Sequence, residues 1–196
     1  MNRSLRFFVA GLAMAISATN ALADPRPALV EIANFDCPFC REMDTHHPRI
    51  EKAAERANVR FIYAPVPNDS NLDNAWRERV YYAARQIPGI ERKLRHALLE
   101  AQDADRPVRS LAQVTAWLDM TLPEVLWGAF VRDHVESRAS LLPIRRSIEL
   151  AARAGVTGYP SFLIVNAQGI ELIALSGSSI AEKADALVEF LESYNP

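Results

Sequence analysis

The segment ALVEIANFDCPFC, residues 28–40, carries the transition that organises the chain. Ala28 to Asn34 is apolar, partly β-branched and preceded by Pro25 and Pro27, the pattern of a buried strand interrupted by one acid, Glu31. A helix is expected from Cys37, with Pro38 in its first turn, where a missing N–H leaves no helical bond unmade. Its inward face should hold Cys37, Cys40, Met43, Ile50, Ala53, Ala54 and Ala57. Pro48 should kink or split this helix, and His47 before it is drawn away from helical angles. Val59 to Ala64 then reads as a second strand.

Beyond this unit the pattern changes. From about Asn71 to Ala154 the apolar spacing is helical, punctuated by Pro88-Gly89, Asp105 to Pro107 and Leu122-Pro123, which predicts four or five helices, the last with Pro143 near its start. Pro160 to Val165 and Ile170 to Leu175 read as two strands, joined by Asn166 to Gly169 as an antiparallel hairpin. A last helix starts at Ser179-x-x-Glu182, a capping-box pattern, with Ile180, Ala184, Leu187, Val188 and Leu191 on one face. Strand–helix–strand implies a parallel pair with a right-handed crossover. The predicted fold class is therefore α/β: a central mixed sheet flanked by helices, with a helical insertion at about residues 71–154 between its halves.

The first residues read differently again. Arg3 and Arg6 precede an apolar run, Phe7 to Ile16, and Ala21-Leu22-Ala23 supplies small residues around a cleavable bond. This is the layout of a secretory signal peptide cleaved after Ala23, and the run is far short of the ~20 residues of a membrane span. Removing it takes away two arginines and no acid, so the net charge moves from −2 to −4. That balance argues against nucleic acid and anionic membrane as main partners.

The chain has only two cysteines, Cys37 and Cys40. An exported protein that keeps one close pair is expected to use it chemically, since a stapled scaffold spreads more cysteines along the chain. At the start of a helix the first N–H groups stabilise a thiolate, the nucleophile of disulfide exchange. Cys37 is thus the expected attacking sulfur. Cys40, one turn on, is the expected buried resolving one. Four ligands of one zinc sit within about 2.0–2.3 Å of it. On a continuous helix His47 lies about 10 Å along the axis from Cys40, which keeps His46 and His47 out of such a site. Copper(I) between the two sulfurs and Met43 is the other metal reading, set against Met43 as a core residue. His46 and His47 otherwise read as a polar stretch before Pro48, His96 and His134 as isolated helix residues, and Arg92, Lys93 and Arg95 as a solvated face. Trp76, Trp117 and Trp127 should build the core of the helical segment. No G-x-S-x-G, phosphate loop or basic–aromatic stripe occurs, so hydrolase, nucleotide-enzyme and nucleic-acid readings lack support.

Val30-Glu31-Ile32 leading into Phe35-Asp36-Cys37-Pro38-Phe39-Cys40, together with Gly155-Val156-Thr157-Gly158-Tyr159-Pro160-Ser161-Phe162, resembles the DsbA-like branch of the thioredoxin superfamily. The resemblance extends over nearly all of the chain after Ala23. It implies a thioredoxin-like fold with an inserted helical domain, a cis proline at Pro160 packed against the active-site sulfurs, and Glu31 as a buried acid beneath them. The residue reading agrees for Glu31. A carboxylate in an apolar strand is desolvated, which raises its pKa, and it could relay a proton to or from Cys40. The implied catalytic set is Cys37, Cys40 and Glu31, with Pro160, Tyr159, Phe39 and Pro38 contacting substrate and no metal or separate cofactor. Three departures stand out. The spacer is Pro38-Phe39 where strongly oxidising members have His. Asp36 beside the nucleophile would raise its pKa if close. Tyr159 stands where Val or Thr is more usual, either as an aromatic contact or as a residue favouring the cis bond.

The expected function is a periplasmic, monomeric thiol–disulfide oxidoreductase that passes a disulfide to unfolded or cysteine-containing client proteins. It would be recharged by a redox partner protein, soluble or membrane-bound. The alternatives are a reductase or isomerase of the same fold and, from a different class, a copper-binding or chaperone-like protein that uses the same cysteines for holding.

Overall fold

Every residue of β1 (Ala28–Ala33) is buried. The computed structural model describes residues 25–68, 71–85, 87–103, 108–136 and 140–194. The signal-peptide reading over residues 1–23 and the break at Asp105 to Pro107 lie outside them. β1 is followed by α1 (Pro38–Asp44), α2 (His47–Arg56) and β2 (Arg60–Pro65). Among the described residues, five α-helices come next: α3 (Trp76–Ala84), α4 (Glu91–Glu100), α5 (Leu111–Thr121), α6 (Trp127–His134) and α7 (Leu141–Arg153). The chain closes with β3 (Ser161–Asn166), β4 (Gly169–Leu172) and α8 (Ile180–Ser193).

The sheet order is β2-β1-β3-β4. β1 pairs parallel with β2, Glu31 opposite Tyr63, and antiparallel with β3, Glu31 opposite Phe162. β3 and β4 form the predicted hairpin across residues 166–169. β1 is thus central, which is why a run with only one polar residue can form it: both of its faces are covered. Strand alternation sends Leu29, with Met43, Ile50 and Phe162, to the face packed by α1, α2 and α8. Ala28, Val30 and Ile32 face Ala151 and Leu150 of α7. Fully burying a Leu, Ile or Val side chain contributes about 1.5–3 kcal/mol, so this strand anchors both layers.

Pro48 acts as expected but one residue earlier than its preference for the preceding position suggests. The helix splits at Thr45-His46, and His47 itself opens α2 with Pro48 in its first turn. β4 is shorter than predicted, ending at Leu172, because the pairing with β3 runs out opposite Leu163. Trp127 is fully buried in the helical segment, and Trp76 and Trp117 pack against the same core. That core reaches the sheet through Phe35, Tyr63 and Cys40. Among the described residues no helix is long and apolar enough to cross a membrane.

Candidate active site

Cys37 is the N-cap of α1, with extended backbone at φ −89°, ψ 116°. The turn that presents it is tied by Asn34. The Asn34 carbonyl accepts the Cys37 N–H at 3.1 Å, its Oδ1 accepts the Asp36 N–H at 2.7 Å, and its Nδ2 donates to the Val66 carbonyl at 2.6 Å. The Cys37 carbonyl is held by the Cys40 and Arg41 N–H groups at 3.1 and 3.2 Å and by Gln102 Nε2 at 3.2 Å. Pro38 has no N–H to offer, so the first two N–H groups that turn toward the Cys37 sulfur are those of Phe39 and Cys40.

Both cysteines are free thiols, Cys37 half-buried and Cys40 fully buried. The Cys37 thiol is lowered from 9.0 to about 6. The hydrogen bond from the Cys40 thiol does most of this. Burial opposes it, the Cys40 and Phe39 N–H groups add to it, and the Glu31 carboxylate opposes it weakly. The same bond, then burial, then Glu31 push the Cys40 thiol far above its ordinary value, although the Asn34 N–H donates to its sulfur at 3.4 Å. The two sulfurs hold one proton between them, and it resides on Cys40. The helix start read from the sequence contributes, but the larger effect comes from the second cysteine.

The Tyr159–Pro160 bond is cis. Across 122 residues of sequence, the Tyr159 carbonyl lies 3.5 Å from Cys37 Sγ, where it can accept from the thiol form. Tyr159 and Pro160 are half-buried, whereas Pro38 and Phe39 are exposed, Phe39 by 57%. A groove of about 260 Å³ is lined by Phe39, Met43, Tyr159, Pro160, Phe162 and Leu175 among others. All the substrate-contact residues expected from the sequence except Pro38 therefore border one groove. Asp36 does not bear on Cys37 as feared, because Arg77 takes it: Nη2 is 2.5 Å from Asp36 Oδ1, while Nη1 donates to the Phe35 carbonyl at 3.2 Å.

Glu31 is fully buried beneath this site, and burial is only half of its setting. Its Oε2 lies 2.5 Å from Nε2 of His47, and its Oε1 is buried without a hydrogen-bond partner. His47 Nδ1 lies 2.8 Å from Asp44 Oδ1. Asp44 also receives Arg95 Nε at 2.7 Å and faces His96 Nδ1 at 2.9 Å. Two sequence expectations are corrected here. His47 is 0% exposed, and so is no polar surface residue. Arg95, at 2%, belongs to no solvated face. His96 is the exposed helix residue expected, with Asp44 as its partner. The signal for His47 was present: it falls between Met43 and Ile50, at helical spacing, on the apolar stripe. Met43 itself is a core residue, and among the described residues no group of three or more His, Cys, Asp or Glu is placed to hold a metal ion.

No family model matches the chain, and no curated protein matches it. Solved structures do. DsbA from Proteus mirabilis is 17% identical, with a TM-score of 0.64 over 87% of this chain and 88% of that one. DsbA from Xylella fastidiosa is 19% identical, with a TM-score of 0.60 over 84% and 86%. A thioredoxin-like oxidoreductase from Silicibacter pomeroyi DSS-3 is 21% identical, with a TM-score of 0.60 over 86% and 88%. The chain therefore has the thioredoxin-like fold with an inserted helical segment that these DsbA structures share.

Proposed function

We propose that this chain is an exported thiol–disulfide oxidoreductase that introduces disulfides into client proteins. The observation that carries the reading is the split between the two sulfurs: an accessible Cys37 lowered to about 6 over a buried Cys40 that retains its proton. In the oxidised protein a client thiolate attacks Cys37 Sγ. The Cys37–Cys40 bond breaks, its electron pair goes to Cys40, and Cys40 takes up a proton from solvent, relayed by the Glu31 carboxylate. A second client thiolate attacks the client sulfur of the mixed disulfide, and Cys37 leaves as a thiolate that neutral pH does not protonate. The client is oxidised by two electrons and the protein reduced by two. A partner protein disulfide then reverses the sequence, with Glu31 accepting the Cys40 proton. The redox group is the disulfide itself.

The groove beside Pro160 suits an extended client segment, with the Tyr159 carbonyl next to the attacked sulfur and Phe39 as an exposed apolar contact. A Proteus mirabilis DsbA has been solved with a non-covalently bound peptide, which supports a polypeptide client for a chain of the same fold. The basic start, apolar run and Ala21-Leu22-Ala23 support export to the periplasm, an oxidising compartment. The test is trapping. Cys40→Ala should accumulate mixed disulfides with clients on a non-reducing gel, and Cys37→Ala should accumulate almost none. Trapping by Cys37→Ala instead would reverse the roles.

A further inference from the structure

We propose that His47 is a positioning residue for this chemistry, holding Glu31 ready to take the proton of Cys40. The inference rests on the reading of Cys37 and Cys40 as an exchanging pair. It starts from a problem that the site poses. Glu31 is fully buried on a central strand, with Oε1 unpartnered. A buried carboxylate is costly without a charged partner, and one that is not held in place is poorly set to receive a proton.

His47 supplies the cation. Its Nε2 faces Glu31 Oε2, and its ring is fixed from the other side by Asp44. Burial lowers the His47 pKa, but the Glu31 and Asp44 carboxylates outweigh it and raise it above the ordinary value. Asp44 is kept ionised in turn: burial raises its pKa, but His47, Arg95 and His96 hold it well below the usual carboxylate range. An ionised Asp44 accepts Nδ1–H, so Nε2 is the nitrogen left to bind Glu31. The charged and titratable groups around His47 are Glu31 from β1, Asp44 from α1, Arg95 from α4, the adjacent His46 and Tyr63 from β2, whose ring meets it edge-on, with the uncharged Phe61 ring at 5.2 Å. Arg95 opposes the His47 charge, yet it also binds Asp44 and Glu51, which spend its charge elsewhere.

During resolution of a Cys37 mixed disulfide, the Cys40 proton passes to Glu31, Cys40 Sγ attacks Cys37 Sγ, and the substrate thiolate leaves with the electron pair of the broken bond. Without His47 the Glu31 carboxylate loses the partner that holds it at Oε2, and Cys40 must wait for hydroxide. The experiment loads the reduced full chain at Cys37 with glutathione and follows glutathione release by Cys40 across pH. The wild-type rate should be nearly flat through the neutral range. His47→Gln should be at least about tenfold slower at neutral pH and should recover as pH rises, the loss expected when a general base is withdrawn. Glu31→Gln should be as slow, and the double variant Glu31→Gln/His47→Gln no slower than Glu31→Gln alone, because His47 acts only through Glu31. The double variant buries two neutral amides, so it keeps the test open if His47→Gln alone fails to fold. A His47→Gln rate that is unchanged, or uniformly slower with the wild-type pH profile, overturns the inference, as does a further loss in the double variant. If the wild type itself never releases glutathione, the dithiol reading fails and His47 loses its role with it.

Discussion

At Cys37 the chemistry reduces to where one proton sits. With its pKa near 6, the thiol should alkylate with a half-maximal rate at about pH 6, read by iodoacetamide trapping or thiolate absorbance in the Cys40→Ser background and in the wild type. Because the Cys40 thiol is the largest cause, the midpoint should lie higher in Cys40→Ala, where that donor is lost. Asp36 gives a second prediction. Arg77 pairs with it and also binds the Phe35 carbonyl, so Arg77→Met frees a carboxylate one residue from the nucleophile. The Cys37 midpoint should move up, and an unchanged one would show that Asp36 is too well solvated to matter. The thiolate also links redox state to stability. A folded pKa below the ordinary 9.0 stabilises the reduced protein fully above about pH 9, and that stabilisation is lost as pH falls through about 6. His47 runs the other way, contributing at low pH and fading as pH rises through its raised pKa, but it is present in both redox forms and largely cancels in their difference. The urea midpoint of the reduced form minus that of the oxidised form should therefore grow from about pH 6 to about pH 9.

Among the elements, α8 shows how a short signal fixes both a helix and a wall of the groove. Ser179 Oγ accepts the Glu182 N–H at 3.2 Å and Glu182 Oε2 accepts the Ser179 N–H at 3.1 Å, closing the predicted capping box. Gly177, two residues earlier, has φ +121°, and a Cβ there would lie 2.6 Å from Glu182 Cβ. Ser179→Ala should cost about 1 kcal/mol, a normal cap loss. Gly177→Ala should cost more than that, because the backbone conformation and the space both refuse a side chain. Chemical denaturation checks the order, and equal losses would mean that the loop shifts to accept the methyl. The break between α1 and α2 is similarly consequential. It turns the inward stripe so that His47 meets Glu31.

Across the whole molecule the active site is assembled from distant parts of the chain. Cys37 and Tyr159 meet across the insertion, and Gln102, in the turn after α4, binds the Cys37 carbonyl. A Cys37 pKa of about 6 falls between about 3.5 for DsbA and about 7 for thioredoxin. A more stable thiolate stabilises the dithiol and makes the disulfide a stronger oxidant, so we expect a potential of roughly −130 to −200 mV, between about −120 mV for DsbA and about −270 mV for thioredoxin. Equilibration with glutathione buffers measures it. The same cycle requires the reduced protein to resist urea better than the oxidised one. A potential close to that of thioredoxin, with the oxidised form the more stable, would sink the oxidase reading and favour the reductase.

Local order decided much of this from the residues alone. The strand at Ala28, the helix start at Cys37, the hairpin at residues 166–169 and the box at Ser179 each depend on neighbours within a few positions, and each is where its pattern puts it. The position of Pro160 beside Cys37 could be anticipated only because the surrounding motif resembled a known fold. What no local pattern carried was the company of the charged residues. Arg95 and His47 read as surface because their partners, Asp44 and Glu31, lie 51 and 16 residues away in sequence. A charge can be buried only where another group compensates it, and that compensation exists only once α1, α2, α4 and β1 have packed together.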